Sequence, residues 1–371
     1  MRVRYLALLL VFCLLPLHAD FAKLGTSGAQ FLKISAGRGT AMGEAFVAIS
    51  DDASATFWNP AGLGMVMNRE ISFYHNEWIA DVRHEYLTAA FPLGSFGTLG
   101  LSITALNMGE MEILTVDDPN TSIREDTGTG TYFNASDYAV GFSFGRMFTD
   151  RLAAGVTFKA VQEQVWNMTA TGVAMDFGIH YNTGLKGLRL AAAMSNFGTD
   201  IAFSGRNLDF AAEPYPTSPV YYEILPAALT TTPFPLPLMF RFGIALDPIA
   251  TESNRLTVAL DLNHPNDNYE TLNLGFEYGY LNTLFLRFGY KAYTNMDYMR
   301  AMTGGEPVLD TVENQMTFPD WGDDFTMLLN NLSAGVGFHL KTGVTEFKID
   351  YAYMNKGILL HTHRIGLSIL F

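Results

Sequence analysis

The sequence predicts an all-β fold, a 14-stranded antiparallel transmembrane β-barrel with a small N-terminal plug inside its lumen. Three observations lead to this prediction. Large apolar residues alternate with small or polar ones in many segments, the long connections fall at one end of the predicted barrel, and only 16% of the residues are charged. A soluble globular domain usually has about 25% charged residues.

The alternation has a period of two, which is typical of β-strands whose two faces differ. It is clearest in residues 138–145, 256–263, 332–339 and 365–371. In a soluble sandwich the apolar face would form the core, whereas in a membrane barrel it faces lipid and the other face lines the lumen. The many glycines on the polar face favour the barrel, because a lumen that holds a plug needs small residues on its wall.

Fourteen strands are predicted from this pattern. They lie at residues 70–78, 82–91, 97–108, 134–147, 151–165, 170–182, 187–197, 237–247, 254–263, 269–280, 283–293, 330–341, 344–354 and 360–371. Many reach about ten residues, the length that a tilted membrane strand needs. No apolar run after Asp20 reaches the roughly 18 residues of a membrane helix.

The lengths of the connections give an independent indication. The three long connections, Gly109–Phe133, Gly198–Leu236 and Thr294–Leu329, are all odd-numbered when counted from the first strand. The even-numbered connections are short: Pro92–Phe96, Phe148–Asp150, Thr183–Lys186, Pro248–Ser253, Leu281–Asn282 and Thr342–Gly343. Outer-membrane barrels have short periplasmic turns and long extracellular loops, whereas the connections of a Greek-key sandwich would not be sorted in this way.

The first residues, Met1–Ala19, have the pattern of a secretory signal peptide, with Arg2 and Arg4 before a short apolar stretch. We expect cleavage before Asp20 and localisation in the outer membrane of a Gram-negative bacterium. The single cysteine, Cys13, lies in the signal, so the mature chain would have no disulfide, thiol nucleophile or cysteine ligand. Loss of both arginines changes the net charge from −14 to −16, which argues against a nucleic-acid partner.

The predicted plug spans residues 20–69, between the signal peptide at 1–19 and the barrel at 70–371. A helical stretch is expected near Thr40–Ile49. A barrel of about fourteen strands is wider than the eight-stranded size that side chains can fill, so an unplugged lumen would leak; a cap outside the barrel is the alternative. The residues expected to form the polar and turn motif of the plug are Arg38, Asp51, Asp52, Trp58, Asn59 and Pro60.

Seven charged or histidine residues share the phase of the predicted lumen face: Asp176, His180, Asp261, Glu277, Lys348, Asp350 and Arg364. Arg287 and Lys291 share a phase with Phe285, so the sequence leaves their face undetermined. Two interpretations stay open for the whole set. The favoured one is mutual pairing and packing against the plug, and the other is direct contact with a ligand.

The connection Gly198–Leu236 is rich in proline, which gives it an extended character. Its residues Tyr221, Tyr222, Ile224 and Leu225 are apolar for a loop at the outer surface. The loop either folds over the barrel mouth for its own packing or forms a hydrophobic entrance for a ligand. The sequence favours neither interpretation.

Two motifs that resemble chemical sites are weak. The G-x-S-x-G pattern around Ser143 lies in an alternating strand, whereas a hydrolase nucleophile needs a strand-to-helix turn. His361 and His363 could share a metal ion, but no third ligand is identifiable in the sequence. We therefore expect no enzyme activity, no bound metal and no cofactor.

The chain resembles the PorV/PorQ family of outer-membrane proteins, which is itself similar to the fatty-acid channel FadL. The matching residues are Phe31–Ile34, Gly37–Gly64, His75–Trp78, Asn107–Glu112, Ser195–Gly198 and the terminal Phe371. The resemblance covers essentially all of the mature chain, and the stretch Trp58–Leu63 is shared with FadL-like channels generally. It implies a fourteen-stranded barrel with an N-terminal hatch.

The resemblance also implies two functions. A FadL-like member would transport small hydrophobic molecules such as fatty acids, whereas a PorV-like member would bind proteins exported by type IX secretion and pass them to surface attachment. The implied partners are outer-membrane lipid, a hydrophobic ligand or secretion-system proteins, and not nucleic acid. One departure concerns the third extracellular loop, which is sizeable in FadL, whereas the connection near Trp166–Thr169 is short.

Epitope tags inserted in Gly109–Phe133, Gly198–Leu236 and Thr294–Leu329 should be labelled by antibody on intact cells, because the long connections of an outer-membrane barrel face outward. Tags at Phe148–Asp150 or Thr342–Gly343 serve as controls and should be reached only after the outer membrane is permeabilised. Labelling of these control positions on intact cells would contradict the predicted orientation.

Overall fold

The barrel is closed and consists of fourteen antiparallel strands. A computed structural model describes residues 26–114, 128–185, 187–212, 225–294, 308–310, 315–317, 331–356 and 361–371. The barrel strands are β1 (Glu70–Glu77), β2 (Arg83–Pro92), β3 (Thr98–Leu114), β4 (Gly128–Met147), β5 (Leu152–Val165), β6 (Met168–Asn182), β7 (Arg189–Gly198), β8 (Met239–Ala250), β9 (Asn254–Pro265), β10 (Thr271–Tyr280), β11 (Leu284–Tyr293), β12 (Leu332–Thr342), β13 (Thr345–Asn355) and β14 (His361–Leu370). The barrel closes where β1 pairs with β14, from Glu70 opposite Leu370 to Glu77 opposite His363. The predicted β-barrel and its number of strands are confirmed.

Strands β3 and β4 are longer than predicted. β3 runs to Leu114 and β4 begins at Gly128, so the predicted loop Gly109–Phe133 is in part paired strand. A bulge interrupts the register next to Gly109, whose φ of 76° is a left-handed conformation that glycine adopts without steric cost. The alternation breaks at this bulge in the sequence as well, which is why the prediction ended the strand at residue 108.

The two faces of the barrel differ as the alternation predicts. On β14 the outward-facing Ile365, Leu367 and Ile369 are 44–49% exposed, while the inward-facing Arg364 and Ser368 are buried. Large apolar side chains are exposed on the outward face of the other strands as well. An apolar surface of this extent is typical of a barrel that faces lipid.

We call the end of the barrel with the odd-numbered connections the long-loop end and the opposite end the short-turn end. Connections at the short-turn end range from two residues, at 343–344, to six, at 183–188. The connections also contain short strands, at Ser204–Gly205, Asp209–Ala212, Leu225–Ala228, Val308–Asp310 and Gln315–Thr317, and 3-10 helices, at Ile79–Asp81, Gly94–Phe96 and Arg206–Leu208. Among the helices of the described ranges, none has the length and apolar character of a membrane span.

The N-terminal segment, residues 26–69, contains only short helices. They are the 3-10 helices Gln30–Lys33, Gly37–Met42 and Pro60–Met65, and the α-helix α1 (Ala55–Trp58). The helix predicted near Thr40–Ile49 is wrong beyond Met42, because Gly43 and Glu44 have φ values of 64° and 67°. A right-handed helix cannot continue through two left-handed residues.

The N-terminal segment packs closely against inward-facing glycines of the barrel. A Cβ atom added at Gly289 of β11 would lie 1.9 Å from the backbone nitrogen of Gly43. A Cβ added at Gly155 of β5 would lie 2.3 Å from backbone atoms of Pro60. Only a residue without a side chain permits so close an approach of two backbones. Contact with the N-terminal segment therefore explains small residues on the polar face of these strands.

Candidate functional site in the barrel lumen

Arg38 joins the N-terminal segment to the barrel wall through ion pairs. Its Nε lies 2.7 Å from Oδ2 of Asp52, and its Nη2 contacts the carboxylate of Asp51. On the other side, Nη1 lies 3.3 Å from Oε2 of Glu277 on β10. Burial by itself would raise the pKa of Asp52, but the guanidinium of Arg38 lowers it below its ordinary value. Asp52 is therefore charged at neutral pH.

Glu277 is shared by three guanidinium groups. Besides contacting Arg38, it accepts hydrogen bonds from Nε of Arg287 at 2.7 Å and from Nη2 of Arg255 at 3.2 Å. Arg287, whose face the sequence left undetermined, points into the lumen and also donates to Oδ1 of Asp350 at 2.5 Å. Glu277 and Arg287 are 2% and 0% exposed, so their ion pairs are shielded from water.

Two other predicted lumen residues, Asp261 and His180, bind the backbone of the N-terminal segment. Oδ2 of Asp261 accepts hydrogen bonds from the backbone nitrogens of Phe46 and Val47, at 2.7 and 2.9 Å. Nε2 of His180 lies 3.1 Å from the carbonyl oxygen of Ala48. These bonds satisfy buried backbone groups that have no partner in a regular helix or strand.

The turn after α1 is fixed by Trp58 and Asn59, both of which are fully buried. Nε1 of Trp58 donates to the carbonyl oxygen of Ala36 at 2.9 Å. Asn59 donates from Nδ2 to the carbonyl oxygens of Val47 and Ile179, both at 3.1 Å. The Asn59 side chain thus joins two parts of the N-terminal segment to β6.

The remaining predicted lumen residues also have partners. Nη1 of Arg364 donates to the carbonyl oxygen of Ser35 at 3.0 Å and to the hydroxyl of Thr40 at 2.5 Å. Two ion pairs lie within the wall, between Lys348 and Glu70 at 3.4 Å and between Asp176 and Lys159 at 2.8 Å. The geometry agrees with mutual pairing, and a role for any of these residues in ligand binding stays a prediction.

Glu44 was not predicted as a lumen residue, although it forms a partly buried ion pair. Its Oε2 lies 2.7 Å from Nζ of Lys291 on β11. Burial would raise the pKa of Glu44, but the ammonium of Lys291 lowers it well below its ordinary range. The sequence contains one indication of this contact: Glu44 is an acidic residue in a stretch of glycine, alanine and other small side chains.

A second unpredicted contact holds the start of the N-terminal segment at the long-loop end. Asp267, in the connection between β9 and β10, accepts hydrogen bonds from Gln30 at 2.6 Å and from Lys33 at 2.8 Å. It also contacts the hydroxyl of Ser27. Because Asp267 lies outside the strands, the alternation carried no information about the direction of its side chain.

One apolar cluster lies in the lumen near the long-loop end. We call the following buried side chains the apolar lumen cluster: Ala29, Phe31, Leu32, Ile34, Leu106, Ala139, Val161, Ala170, Ala174, Ile201 and Leu236. Phe31 and Leu32 come from the N-terminal segment, while Ile201 and Leu236 come from the connection 199–238. This connection therefore covers the cluster.

A cavity of about 90 Å³ lies between the N-terminal segment and strands β8 to β11. Its wall includes the charged side chains of Lys33, Glu44, Arg241 and Lys291 together with the aromatic ring of Trp58. An apolar cavity that binds benzene has a volume of about 150 Å³. The lumen cavity is therefore smaller and more polar than a site for an aromatic hydrocarbon.

Of the predicted entrance residues, Tyr221, Tyr222 and Ile224 lie outside the described residues. Leu225 is exposed at the start of a strand that pairs with Asp209–Ala212. The predicted short third connection is confirmed, since β5 ends at Val165 and β6 begins at Met168.

The residues of the two weak motifs contact neighbouring side chains in the barrel. The hydroxyl of Ser143 lies 2.8 Å from that of Thr157. The rings of His361 and His363 contact each other with centroids 5.0 Å apart. Across the described ranges, no group of three or more residues is arranged to hold a metal ion.

Comparison with protein families adds one match. The model of the uncharacterised protein family UPF0164 matches residues 21–183, which include the N-terminal segment and strands β1 to β6. No curated protein matches the sequence. The narrower resemblance to PorV/PorQ therefore stays a prediction.

Three solved structures with a similar fold are toluene transporters. The alignment with TbuX from Ralstonia pickettii has 13% identity and a TM-score of 0.50, and it covers 90% of this chain and 96% of TbuX. Two structures of TodX from Pseudomonas putida align with 10% and 11% identity and TM-scores of 0.52 and 0.51. These alignments cover 90% and 89% of this chain and 96% of TodX in both cases. At such identities the similarity concerns the fold.

The variant Glu277→Gln should destabilise the folded protein by about 3–5 kcal/mol, because removal of one partner leaves buried charges unpaired. The midpoint of thermal unfolding, followed by heat modifiability on gels, would measure the loss. Glu85→Gln is the control, since Glu85 pairs with His75 in a partly exposed position and such a pair contributes at most about 1 kcal/mol. Equal midpoints for the two variants would contradict a central role for Glu277.

Proposed function

We propose that this chain is an outer-membrane β-barrel protein that carries small hydrophobic molecules, such as fatty acids or toluene, across the outer membrane of a Gram-negative bacterium. One observation carries the proposal: the apolar lumen cluster brings together side chains of the N-terminal segment, the barrel wall and the connection 199–238 near the long-loop end. Binding sites for hydrophobic ligands are mostly apolar with few polar groups. The fold shared with toluene transporters supports the same class of cargo.

The outward face of the barrel supports a location in the membrane. Large apolar side chains such as Phe142, Phe288 and Leu367 are exposed there. Transfer of apolar surface from water to lipid is favourable by about 25 cal/mol per Å². A barrel with such an outer surface would therefore be stable in lipid and prone to association in water.

We also propose that residues 26–69 act as a plug. Lys33 pairs with Asp267 at the long-loop end, whereas a Cβ at Gly64 would lie 2.8 Å from the carbonyl carbon of Arg146 near the short-turn end. Between these points, Arg38 contacts Glu277 on the barrel wall. A segment held at both ends and in the middle would obstruct the passage of ions.

A second function is supported by a different observation. Phe210, Leu225 and Leu229, in or next to the hairpin of the connection 199–238, have exposed apolar side chains. Exposed apolar side chains at one site can mark contact with a protein partner, as the resemblance to PorV implies. Loss of exported-protein binding in Leu225→Ser, with uptake of hydrophobic molecules unchanged, would favour this function over transport.

The variant Val161→Asn should slow the uptake of radiolabelled toluene and oleate by intact cells several-fold. It places an amide in the apolar lumen cluster, where an unpaired polar group costs about 1–3 kcal/mol and a hydrophobic cargo offers it no partner. Uptake would be compared at equal amounts of folded barrel, as measured by heat modifiability.

Val66→Asn is the matched control, because Val66 is also buried but packs in a separate cluster with Leu63 and Ala90. It should leave uptake close to that of the parent protein. If both variants, or neither, slow the uptake, the apolar lumen cluster is not the site through which cargo passes.

Deletion of Asp20–Asn59 should leave a barrel that conducts ions in planar bilayers, whereas the full protein should stay nearly closed. The single variant Trp58→Ala should give intermittent conductance, because loss of a buried tryptophan costs about 3–5 kcal/mol and loosens the turn at Asn59. If the folded deletion protein conducts no more than the parent, residues 26–69 are not the seal, and a periplasmic cap becomes the better interpretation.

A further inference from the structure

Three polar residues on neighbouring strands face the lumen side by side. Asn76 of β1 lies opposite Arg364 of β14 and opposite His84 of β2. Asn76, His84 and Arg364 are 2%, 2% and 5% exposed. All three line one cavity of about 10 Å³, which is closed on the other side by Ser35–Gly37 of the N-terminal segment.

Five polar atoms of these three residues lack partners among the described residues. Both Nδ2 and Oδ1 of Asn76, Nε2 of His84, and Nε and Nη2 of Arg364 are buried without a hydrogen bond. A buried neutral group without a partner costs about 1–3 kcal/mol, and a charged group costs more. Most of these atoms are N–H donors, since the guanidinium and the amide nitrogen can only donate.

Basic side chains outnumber unpaired acidic ones around the cavity, since the nearby Glu44 is paired with Lys291. Arg364 hydrogen-bonds to Ser35 and Thr40 but forms no ion pair with a carboxylate among the residues that the structure describes. Lys356 lies nearby, with its Nζ 4.3 Å from the ring centre of Trp78, over which Arg364 also lies. Asp350 is part of the wall, but Arg287 neutralises it at 2.5 Å.

We propose that Asn76, His84 and Arg364 bind a single halide ion, chloride in the cell. The cavity is about as large as one water molecule. A chloride ion is only slightly larger than water, whereas a carboxylate or phosphate group is too large. Three of the five unpaired atoms can only donate, namely Nδ2 of Asn76 and Nε and Nη2 of Arg364, whereas a water molecule has two lone pairs with which to accept. A halide accepts from Arg364, from the Asn76 amide and from His84 when its proton is on Nε2.

This site goes beyond transport, because it connects a bound ion to the position of the N-terminal segment. Arg364 holds Ser35 and Thr40 through one nitrogen, Nη1. The halide engages the other two nitrogens of the same guanidinium and so fixes its orientation. Chloride thereby stabilises the contact between β14 and the N-terminal segment.

The test uses crystals of the full protein soaked in sodium bromide, because bromide replaces chloride and is located by its anomalous X-ray scattering. We expect an anomalous peak enclosed by Asn76, His84 and Arg364, and its loss in Arg364→Met. Lys159→Met is the matched control, since it removes a different lumen cation, which pairs with Asp176, and it should keep the peak. A peak that is missing in the parent protein, with only a water in its place, or one that persists in Arg364→Met, overturns the proposal.

A solution measurement separates a specific site from binding at soaking concentrations only. Replacement of chloride by gluconate at constant ionic strength should lower the midpoint of thermal unfolding of the parent protein, because a ligand that binds only the folded state stabilises it. Asn76→Leu removes two unpaired polar atoms at similar volume, so its midpoint should not depend on chloride. A parent protein whose midpoint is the same in chloride and gluconate overturns the proposal.

Discussion

A barrel of fourteen strands encloses more space than its own side chains can fill, and this constraint organises the lumen. Two features of the barrel wall allow the N-terminal segment to fill part of this space. Glycines such as Gly289 and Gly155 allow the backbone of the N-terminal segment to approach the strands. Charged side chains such as Glu277 and Asp261 reach inward and bind the same segment. The two features depend on each other, because an inward carboxylate such as Asp261 can bind the segment only when the segment is close to the wall.

The main effect of the ion pairs is to fix the position of the N-terminal segment in the barrel. Their contribution to the stability of the fold is smaller. A buried ion pair recovers only part of the free energy lost when its charges leave water, but the loss of one partner is costly. Glu277 contacts cations from the N-terminal segment, β9 and β11. A shift of the segment along the barrel would separate Arg38 from Glu277, so alternative positions of the segment are disfavoured.

The barrel could be predicted from sequence because its signal is local. Each strand shows its two faces within about ten residues, and the sorting of short and long connections follows from the strand order. The face of one part of β11 could not be predicted, because the rule that large apolar side chains face lipid has an exception there. Phe285 is apolar yet faces the lumen, where its ring lies 4.2 Å from that of His339, and this left the face of Arg287 undetermined.

The contacts of the N-terminal segment could not be predicted, since they join residues far apart in the chain. Nothing near Glu44 in the sequence indicates that its partner is Lys291, or that Asp267 receives Lys33. The end of the predicted helix was missed for a related reason. Glu44 is an ordinary helix former, and its left-handed φ of 67° depends on the close approach of Gly43 to β11.

The distribution of charge along the lumen limits how an apolar cargo would pass. If an apolar cargo took the place of Phe31 and Leu32 in the cluster, the apolar surface of the cluster would stay buried. The free-energy cost of this replacement is therefore small. Displacement of the segment at Arg38 would instead separate this guanidinium from Glu277, and the loss of one partner of a buried ion pair is costly. Under the proposed transport function, movement of the segment would therefore begin at the long-loop end, before Ser35. There Phe31 and Leu32 make apolar contacts, and the charged contacts to be released are those with Asp267 and Glu163.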